Sequence, residues 1–407
     1  MRQKNSKTIS SKKRKVLGAM GILILLALCT ACGGAPAQDS ANQEAASQDA
    51  IVASQEAGPS ADTQAAFDME FHRGGRDARA ENTLYAYQYA LENGATTIEC
   101  DMQMTKDGQL IMGHNPVLNP DITTDADGRR VEADKFYVAD MTLEELQKYN
   151  VGKIDESCEY YSLHGRSQVT ADARMPTLRE LFELVRDSGN ESIRMSIEAK
   201  YNSDPAMESL YDKNPDKDRI LEEFLSLVKE FGFEDRVLLQ SLDWDILVRM
   251  QKLEPRIETV AVYNEEPEWG TEDSTTLWLD KKEASPWLAG LNIHDFDEDP
   301  VKAASSLGIN DVSPYWEELT PDSVREAHEL GMKVIPWTIN NREAMDAMYS
   351  MGVDGMITDK PWVMREFLES RGETLNPKTE VDLPYHLDPD HIDVEDDVIE
   401  GGRDAAF

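Results

Sequence analysis

The feature that most constrains the fold of this chain is a regular alternation between short apolar runs and longer amphipathic stretches, which begins near residue 67. This alternation is typical of a parallel sheet whose strands are connected by helices. The candidate strands are residues 69–71, 96–101, 193–200, 237–241, 257–262, 309–313, 333–338 and 355–358. Eight strand-helix units suit a closed α/β barrel of the TIM type, (β/α)8. An open doubly wound sheet is the alternative, but no glycine-rich phosphate loop follows the first strand.

The alternation is interrupted between residues 115 and 175, where the chain is polar and rich in aspartate. We expect an inserted loop subdomain there, with one short helix at residues 143–149. An insertion of this length after an early strand belongs on the rim of the active site, because the loops after barrel strands carry that site. With the insertion, the predicted barrel spans residues 67–373, about 300 residues, which is ordinary for this fold.

The N-terminal segment has the order of an export signal, because a basic stretch precedes an apolar run that ends at Cys32. The run is shorter than the roughly 18 residues of a membrane span. Residues 1–31 are therefore predicted to be a signal peptide. Cys29-Thr30-Ala31-Cys32 resembles a bacterial lipobox, so Cys32 is the predicted lipidation site; a plain signal peptide cleaved nearby is the alternative. We expect an extracytoplasmic lipoprotein anchored to the cell membrane, with residues 32–66 as a flexible tether.

The charge of the chain limits the kinds of molecule that it can bind. The formal net charge is -37, which argues against a nucleic-acid partner because phosphate backbones are bound by an excess of Lys and Arg.

Residues 374–407 are predicted to form an acidic tail, either free or strapped along the domain surface. Cys100 and Cys158 are conceivable disulfide partners, but Cys100 falls in a predicted strand and is better explained as a small buried residue. No sequence feature indicates the oligomeric state.

The residues that carry chemistry follow the first two predicted strands. His72 ends the first, and Glu99 and Asp101 lie on the second, where strand alternation points both carboxylates to the same side. Neighbouring carboxylates repel each other unless a cation or a proton lies between them, so a hard divalent metal is the natural explanation. Each feature is weak alone, because a Glu-x-Asp pair on a strand is usually solvated or salt-bridged and a lone histidine is usually structural.

The combination of motifs resembles the glycerophosphodiester phosphodiesterase family. The early motifs are Phe71-His72-Arg73-Gly74, Glu81-Asn82-Thr83, Glu99-Cys100-Asp101, Thr105-Lys106-Asp107-Gly108 and His114-Asn115. Later blocks include Glu198-Ala199-Lys200, Gln240-Ser241, Pro336-Trp337-Thr338 and Thr358-Asp359-Lys360-Pro361. The resemblance covers residues 69–367. Two positions depart from the family pattern: Ala80 replaces a proline, and Asn115 replaces an aspartate beside the second histidine.

The resemblance implies a TIM barrel with its site at the C-terminal ends of the strands. It implies that Glu99, Asp101 and Glu198 are ligands of a divalent metal, Ca²⁺ or Mg²⁺, and that His72 and His114 are the catalytic acid and base. Arg73 and Lys200 become candidate phosphate contacts. Trp337 is a candidate contact for the glycerol unit, with core packing as the alternative. Glu81 either faces the substrate or starts the first barrel helix together with Asn82, a good capping residue.

The activity implied by the resemblance is hydrolysis of a glycerophosphodiester, a small-molecule substrate, to glycerol 3-phosphate and an alcohol. The attack on phosphorus comes either from water or from a glycerol hydroxyl that forms a cyclic phosphate, and the sequence does not choose between these routes. Two other functions fit the sequence: a non-catalytic lipoprotein that binds phosphodiesters or wall polymer, and a related phospholipase acting on another phosphodiester. The presence of both imidazoles argues against the binding protein, because binding alone does not require them.

Overall fold

The structure is a computed structural model, and it describes residues 67–264 and 276–392. In these ranges the strands are β1 Asp68–Phe71, β2 Thr97–Met104, β3 Leu110–Met112, β4 Arg194–Ala199, β5 Val237–Ser241, β6 Glu258–Tyr263, β7 Asp311–Pro314 and β8 Gly355–Thr358. The helices are α1 Leu84–Glu92, α2 Leu143–Leu146, α3 Leu178–Asp187, α4 Glu208–Tyr211, α5 Lys217–Phe231, α6 Trp244–Leu253, α7 Pro300–Ser306, α8 Pro321–Glu329, α9 Arg342–Met351 and α10 Pro361–Arg371. The predicted signal peptide, Cys32 and the tether lie outside the described residues.

The strands form a parallel sheet in the order β7-β6-β5-β4-β2-β1-β8, with β3 paired antiparallel to the end of β2. The segment between α8 and α9 bridges the remaining gap. Val334 forms a parallel bridge to Val312 of β7, and Trp337 forms one to Tyr315, the residue after β7. Ile357 of β8 donates its N–H to the Pro336 carbonyl at 3.0 Å. The sheet therefore closes into the predicted TIM-type α/β barrel.

Seven of the eight predicted strands are regular strands of the barrel, and their bounds differ from the predicted ones by only a few residues. The remaining predicted strand, residues 333–338, lies where it was expected, but it forms two isolated bridges rather than a continuous strand. Pro336 explains the difference, because proline has no N–H to donate to the ladder. The prediction was right about position and wrong about regularity.

The hydrophobic core lies between the barrel and its helices and includes the buried side chains of Phe71 on β1, Ile98 on β2 and Phe224 on α5. Helix α3 shows how the sequence sets the boundaries of these elements. The hydroxyl of Thr177 accepts the N–H of Glu180, whose carboxylate in turn accepts the N–H of Thr177. This reciprocal capping satisfies donors that the first helical turn leaves without partners.

The insertion between β3 and α3 has its own small core. Its buried side chains, which pack with Ile111 of β3, are Leu118, Val131, Val138, Leu146, Val151 and Met175. Helix α2 begins at the predicted residue and ends three residues earlier than expected, at Leu146. Residues Tyr161–Gly165 form one turn of π-helix, which lies against the active site as described below.

The chain after α10 is described as far as residue 392 and lies along the domain surface. Gln88 of α1 donates to the carbonyls of Val381 and Leu383 at 3.3 and 3.1 Å. The N–H of Ile392 reaches the Ser167 carbonyl in the insertion at 2.9 Å. This segment is the first part of the predicted acidic tail, and its contacts match the strapped alternative.

Two further sequence expectations concern cysteines and membrane spans. Cys100 and Cys158 are both free thiols, and Cys100 is fully buried on β2. Among the residues that the structure describes, no helix combines the length and apolarity needed to cross a bilayer.

Candidate active site

Three carboxylates meet at the C-terminal ends of neighbouring strands. Asp101 of β2 is directly paired in register with Glu198 of β4, and Glu99 lies two residues before Asp101 on the same side of β2. All three side chains are buried. Their oxygen atoms lie within 4.8 Å of one another. The structure therefore brings together the three residues that the sequence predicted as metal ligands.

Each carboxylate in this cluster is oriented by a neighbouring donor. Glu99 accepts the Nε2 group of Gln240 at 2.8 Å and the backbone N–H of Arg73 at 2.8 Å. Asp101 accepts the Nδ2 group of Asn82 at 2.8 Å. Asn82 is not the helix cap that the sequence suggested, because Thr83 caps α1. Asn82 instead holds Asp101.

The electrostatics of the cluster fit a cation site. Burial, and then the charge of Asp101, raise the pKa of Glu99 well above its usual value. Burial also acts to raise the pKa of Asp101, but the charges of Lys200, His114 and Arg73 lower it overall. An all-oxygen, buried and mutually repelling set of donors suits a hard divalent ion such as Ca²⁺ or Mg²⁺.

The two predicted phosphate contacts border the carboxylates. The Lys200 ammonium lies 2.8 Å from Glu198 and 3.0 Å from Asp101. Arg73 lies on the opposite side, with its Nη1 group donating to both oxygens of Glu81 at 3.1 and 3.0 Å. Glu81 therefore faces the site through Arg73. Both cations are held by more than one carboxylate, because Arg73 Nε also lies 3.4 Å from Asp101.

The turn that presents Arg73 depends on the glycine after it. Gly74 has a φ of 85°, and a Cβ at this position would lie 2.7 Å from the Cβ of Ala86 on α1. Only glycine combines this backbone conformation with so close an approach. Arg73 itself has a φ of 50°, a left-handed conformation that is uncommon outside glycine.

His72 is oriented by a carboxylate that follows β8, the strand that pairs with β1 where the barrel closes. Its Nδ1 atom lies 2.6 Å from Asp359, the residue after β8, and its Nε2 atom lies 3.9 Å from Glu99. Asp359 is further held by Arg76, whose Nε and Nη2 groups donate to its two oxygens at 2.9 and 2.7 Å. Burial lowers the pKa of His72, and Asp359 opposes that shift.

His114 has a different environment. It is half-buried after β3, and its Nδ1 atom lies 3.0 Å from the side-chain oxygen of Asn115. Desolvation, followed by the charges of Arg73 and Lys200, lowers the pKa of His114 well below its usual value, while Asp101 and the bond to Asn115 oppose the shift. The neutral imidazole is therefore the favoured form at neutral pH.

Two clefts open beside these groups. The first has about 630 Å³ of empty space, part of it open solvent, and is lined by Glu198 and Lys200 together with Tyr201, Leu210 and Leu242. The second has about 380 Å³, also partly open solvent, and is lined by Glu81, Asn82, His114, Asn115 and residues of the insertion. The first cleft therefore borders a predicted metal ligand and a predicted phosphate contact, and the second borders one of the two predicted catalytic histidines.

Trp337 lies beside the first cleft rather than in its lining. The indole packs in a small cluster with Leu242, Val262 and Trp287. Its Nε1 group donates to the Ser313 carbonyl at 2.9 Å. Leu242 belongs both to this cluster and to the lining of the cleft, so both core packing and an edge contact with a bound molecule fit this position.

Comparison with known proteins identifies the family. Residues 72–363 match the model of the glycerophosphoryl diester phosphodiesterase family. The chain belongs to this family. The glycerophosphoryl diester phosphodiesterase match includes every predicted catalytic, metal and phosphate residue, and it makes the chain an enzyme of the phosphodiesterase class.

Two relatives illustrate the match. A glycerophosphodiester phosphodiesterase from Caldanaerobacter subterraneus is 29% identical over 302 residues, which cover 74% of this chain and 97% of the relative. A solved structure from Silicibacter pomeroyi, assigned by its name to the glycerophosphoryl diester phosphodiesterases, has a TM-score of 0.62 and 27% identity, covering 76% of this chain and 95% of its own.

A third similar structure is that of a phosphodiesterase from Oleispira antarctica in complex with the product sn-glycerol-3-phosphate. It has a TM-score of 0.52 and 19% identity, and the alignment covers 75% of this chain and 97% of that one. At this identity the likeness shows that the two chains share a fold.

The sequence analysis missed several residues that hold the phosphodiesterase site together. Asp359 lies inside a recognised motif, directly after β8, but its contact with His72 was not predicted. Tyr160 and His164 of the insertion were assigned no role, yet the Tyr160 hydroxyl contacts Glu81 and His164 Nδ1 lies 2.8 Å from the buried Asp77. Motif position could have pointed to Asp359, whereas no sequence pattern pointed to the two insertion residues.

Proposed function

We propose that the protein hydrolyses glycerophosphodiesters to sn-glycerol 3-phosphate and an alcohol with a divalent metal held by Glu99, Asp101 and Glu198. The observation that carries this proposal is the convergence of three buried carboxylates and two histidines at one end of the barrel. Membership of the phosphodiesterase family supports the reaction class. The Oleispira phosphodiesterase of the same fold binds the same product.

The chain's own residues suit this chemistry. A phosphodiester carries a negative charge that Arg73 and Lys200 are placed to offset, and an Arg fork can contact two phosphoryl oxygens at once. One of His72 and His114 removes the proton of the attacking hydroxyl or water, and the other gives a proton to the departing alcohol oxygen. When bound, a divalent ion supplies Lewis-acid stabilisation of the phosphoryl charge.

The two clefts support a two-armed substrate. A diester has one arm on each side of phosphorus, and the site has two clefts, one beside Glu198 and Lys200 and one beside His114. We propose that each cleft receives one arm. The apolar residues of the first cleft, such as Leu210 and Leu242, suit the less polar arm, because they offer no hydrogen bonds to a polyol.

The test is release of glycerol 3-phosphate from glycerophosphocholine, glycerophosphoethanolamine and glycerophosphoglycerol, each with Ca²⁺, Mg²⁺ or excess chelator. We expect turnover with at least one diester and one metal, and loss of turnover on chelation. Glu99→Gln, Asp101→Asn and Glu198→Gln should each weaken metal binding, measured by calorimetry. Full activity after exhaustive dialysis against chelator would reject the metal, and no hydrolysis of any diester would reject the substrate class.

We also propose that the protein is a lipoprotein anchored outside the cell membrane through Cys32. The order of basic, apolar and small residues before Cys32 supports this location. Cys32→Ala should release the protein from the membrane fraction or leave it unprocessed. Membrane retention of Cys32→Ala with a normally cleaved N-terminus would contradict the lipid anchor.

A further inference from the structure

One short segment of the insertion contacts two carboxylates beside the active site, Glu81 through Tyr160 and Asp77 through His164. The π-helical turn Tyr161–Gly165, with Tyr160 before it, packs against the loop that follows β1. The rings of Tyr160 and His164 contact each other at a tilt of 56°, with their centroids 4.8 Å apart. Both side chains are buried. Two polar groups that are buried together and face the site need partners there, because an unpaired buried donor is costly.

Tyr160 reaches Arg73 through one intermediate. Its hydroxyl contacts Oε2 of Glu81, and Glu81 accepts Arg73 Nη1 at 3.1 and 3.0 Å. Burial, and then the charge of Glu81, raise the pKa of the Tyr160 phenol well above its usual range, so the phenol keeps its proton and donates it in this bond. Tyr160 thereby fixes the carboxylate that fixes the guanidinium.

His164 reaches His72 through Asp359, although its nearest partner is Asp77. Its Nδ1 atom lies 2.8 Å from Asp77 and 3.9 Å from Asp359. Asp359 lies 2.6 Å from His72 Nδ1. The oxygens of Asp359 are occupied by donors from Arg76 and Asn340 as well, so we interpret the close grouping of Asp77, His164 and Asp359 as a hydrogen-bonded layer rather than as a second metal site.

The segment after His164 is tied to the same loop by backbone contacts. Ser167 Oγ donates to the carbonyl of Asp77 at 2.8 Å, and Gln168 Nε2 donates to the carbonyl of Arg76 at 2.5 Å. The N–H of Val169 donates to the carbonyl of Ala78 at 3.0 Å. The insertion therefore holds residues 76–78 in place, in addition to contacting Glu81.

We propose that Tyr160 and His164 are positioning residues of the phosphodiesterase site, Tyr160 for Arg73 and His164 for His72. This inference rests on the proposed function, because Arg73 and His72 are its phosphate contact and one of its proton-transfer groups. Small misplacements of such groups are costly: a shift of about 1 Å can reduce turnover about 10²-fold. In this arrangement the insertion is part of the catalytic scaffold as well as the rim of the clefts.

The contact made by Tyr160 and the contact made by His164 predict different kinetic changes. Tyr160→Phe removes one hydroxyl, loosens Arg73 and should raise KM about 10-fold, more than it lowers kcat, because a phosphate contact acts on bound substrate. His164→Leu should lower kcat about 10-fold with little change in KM, because it acts through a proton-transfer group. His164→Asn should recover most of kcat, since the Asn side chain can donate to Asp77 from nearly the position of Nδ1.

Matched controls separate positioning from folding. Tyr161→Phe makes the same change at the neighbouring residue, and His294→Leu makes the same change at an exposed histidine that contacts Glu298 and the Lys281 carbonyl; both should keep wild-type constants. Thermal unfolding is measured for every variant. In a Glu81→Gln background, Tyr160→Phe should raise KM no further, because the residue through which it acts has already been altered.

Three outcomes decide the matter. Wild-type kcat and KM in Tyr160→Phe and His164→Leu would overturn the inference while leaving the proposed function intact. The inference would also be overturned if the changes in kcat and KM followed only the loss of thermal stability. In that case His164→Asn would not recover kcat, and the effects of Tyr160→Phe and Glu81→Gln on KM would be fully additive. A wild-type protein that releases no glycerol 3-phosphate from any diester would instead reject the proposed function on which the inference rests.

Discussion

The two histidines of the site stand in contrasting surroundings. His72 is buried, and its Nδ1 atom lies 2.6 Å from a carboxylate, Asp359, that is itself held by Arg76. His114 is half-buried, and its Nδ1 atom contacts an uncharged amide, Asn115. The cations Arg73 and Lys200 lower the pKa of His114 after desolvation, whereas the carboxylate of Asp359 opposes the lowering at His72.

This contrast teaches that the pair is not symmetric. A carboxylate partner stabilises an imidazolium and fixes the tautomer of the ring, as neighbouring carboxylates do for catalytic histidines generally. An amide orients the ring without adding charge. His72 is therefore the more easily protonated member of the pair, and His114 is the one that favours the neutral form.

The largest expected effect comes from removing either ring. His72→Ala and His114→Ala should each lower kcat by about 10²-fold or more, the usual size of a general acid-base contribution. Binding of glycerol 3-phosphate, measured by calorimetry, should change less. The contrast adds a second expectation: only His72→Ala should lower the melting temperature clearly, because it leaves the buried Asp359 without one of its partners.

Turnover near the wild-type rate in both alanine variants would reject the catalytic pair. If those variants, and the wild type, bound diesters without hydrolysing them, a binding protein would be the better explanation. Equal melting temperatures for the two variants would show that the two environments differ less in energy than their contacts indicate.

A smaller effect is expected from changing the partners of the two rings. Asp359→Asn should lower kcat about 10- to 100-fold, because loss of the carboxylate permits the wrong tautomer and orientation of His72. Asn115→Ala should lower kcat less. Both are measured on the same diester. Similar losses in the two variants would contradict the asymmetry of the pair.

The stability of Asp359→Asn needs a separate measurement. The Asp359 carboxylate also neutralises the buried Arg76 guanidinium, and breaking a buried ion pair costs roughly 3–5 kcal/mol. Although burial acts to raise the pKa of Asp359, Arg76 and His72 hold that pKa well below its usual value, which agrees with a strongly stabilised charge. Urea unfolding of the variant gives this cost and sets the temperature at which its kinetics are compared.

Much of the barrel could be predicted because each strand is marked by a short, continuous stretch of sequence. Short apolar runs mark the strands, and alternation along β2 places Glu99 and Asp101 on one side. The contact between His72 and Asp359, which are 287 residues apart, also follows from the fold. Phe71 of β1 pairs in register with Thr358 of β8, so barrel closure brings together the residues that follow them.

The contacts of Tyr160 and His164 could not be predicted in the same way. The insertion has no helical or strand period over residues 150–176, and its path is set by packing of a small core and by hydrogen bonds to the loop after β1. An isolated histidine in such a segment carries no information about which distant carboxylate it contacts. Only the three-dimensional arrangement connects it to Asp77.

The smallest expected effect concerns the protonation of His114. Asn115→Asp places a carboxylate beside Nδ1 of His114, where the amide oxygen now lies at 3.0 Å. The added negative charge favours the imidazolium and should raise the pKa of His114, by about 1 unit. If His114 acts as the base, the acidic limb of kcat/KM moves to higher pH; if it acts as the acid, the alkaline limb moves to higher pH.

The direction of this shift is therefore independent of the role of His114, and the limb that moves identifies the role. Asn115→Ala removes the hydrogen bond that raises the pKa of His114, so it should move the same limb slightly to lower pH. Asn310→Asp adds the same charge at an exposed residue just before β7, at the opposite end of the barrel, and should move neither limb. A profile of kcat/KM against pH for these variants makes the comparison. If Asn115→Asp and Asn310→Asp gave the same profile, the amide beside His114 would have no part in tuning it, and the asymmetry of the pair would rest on Asp359 alone.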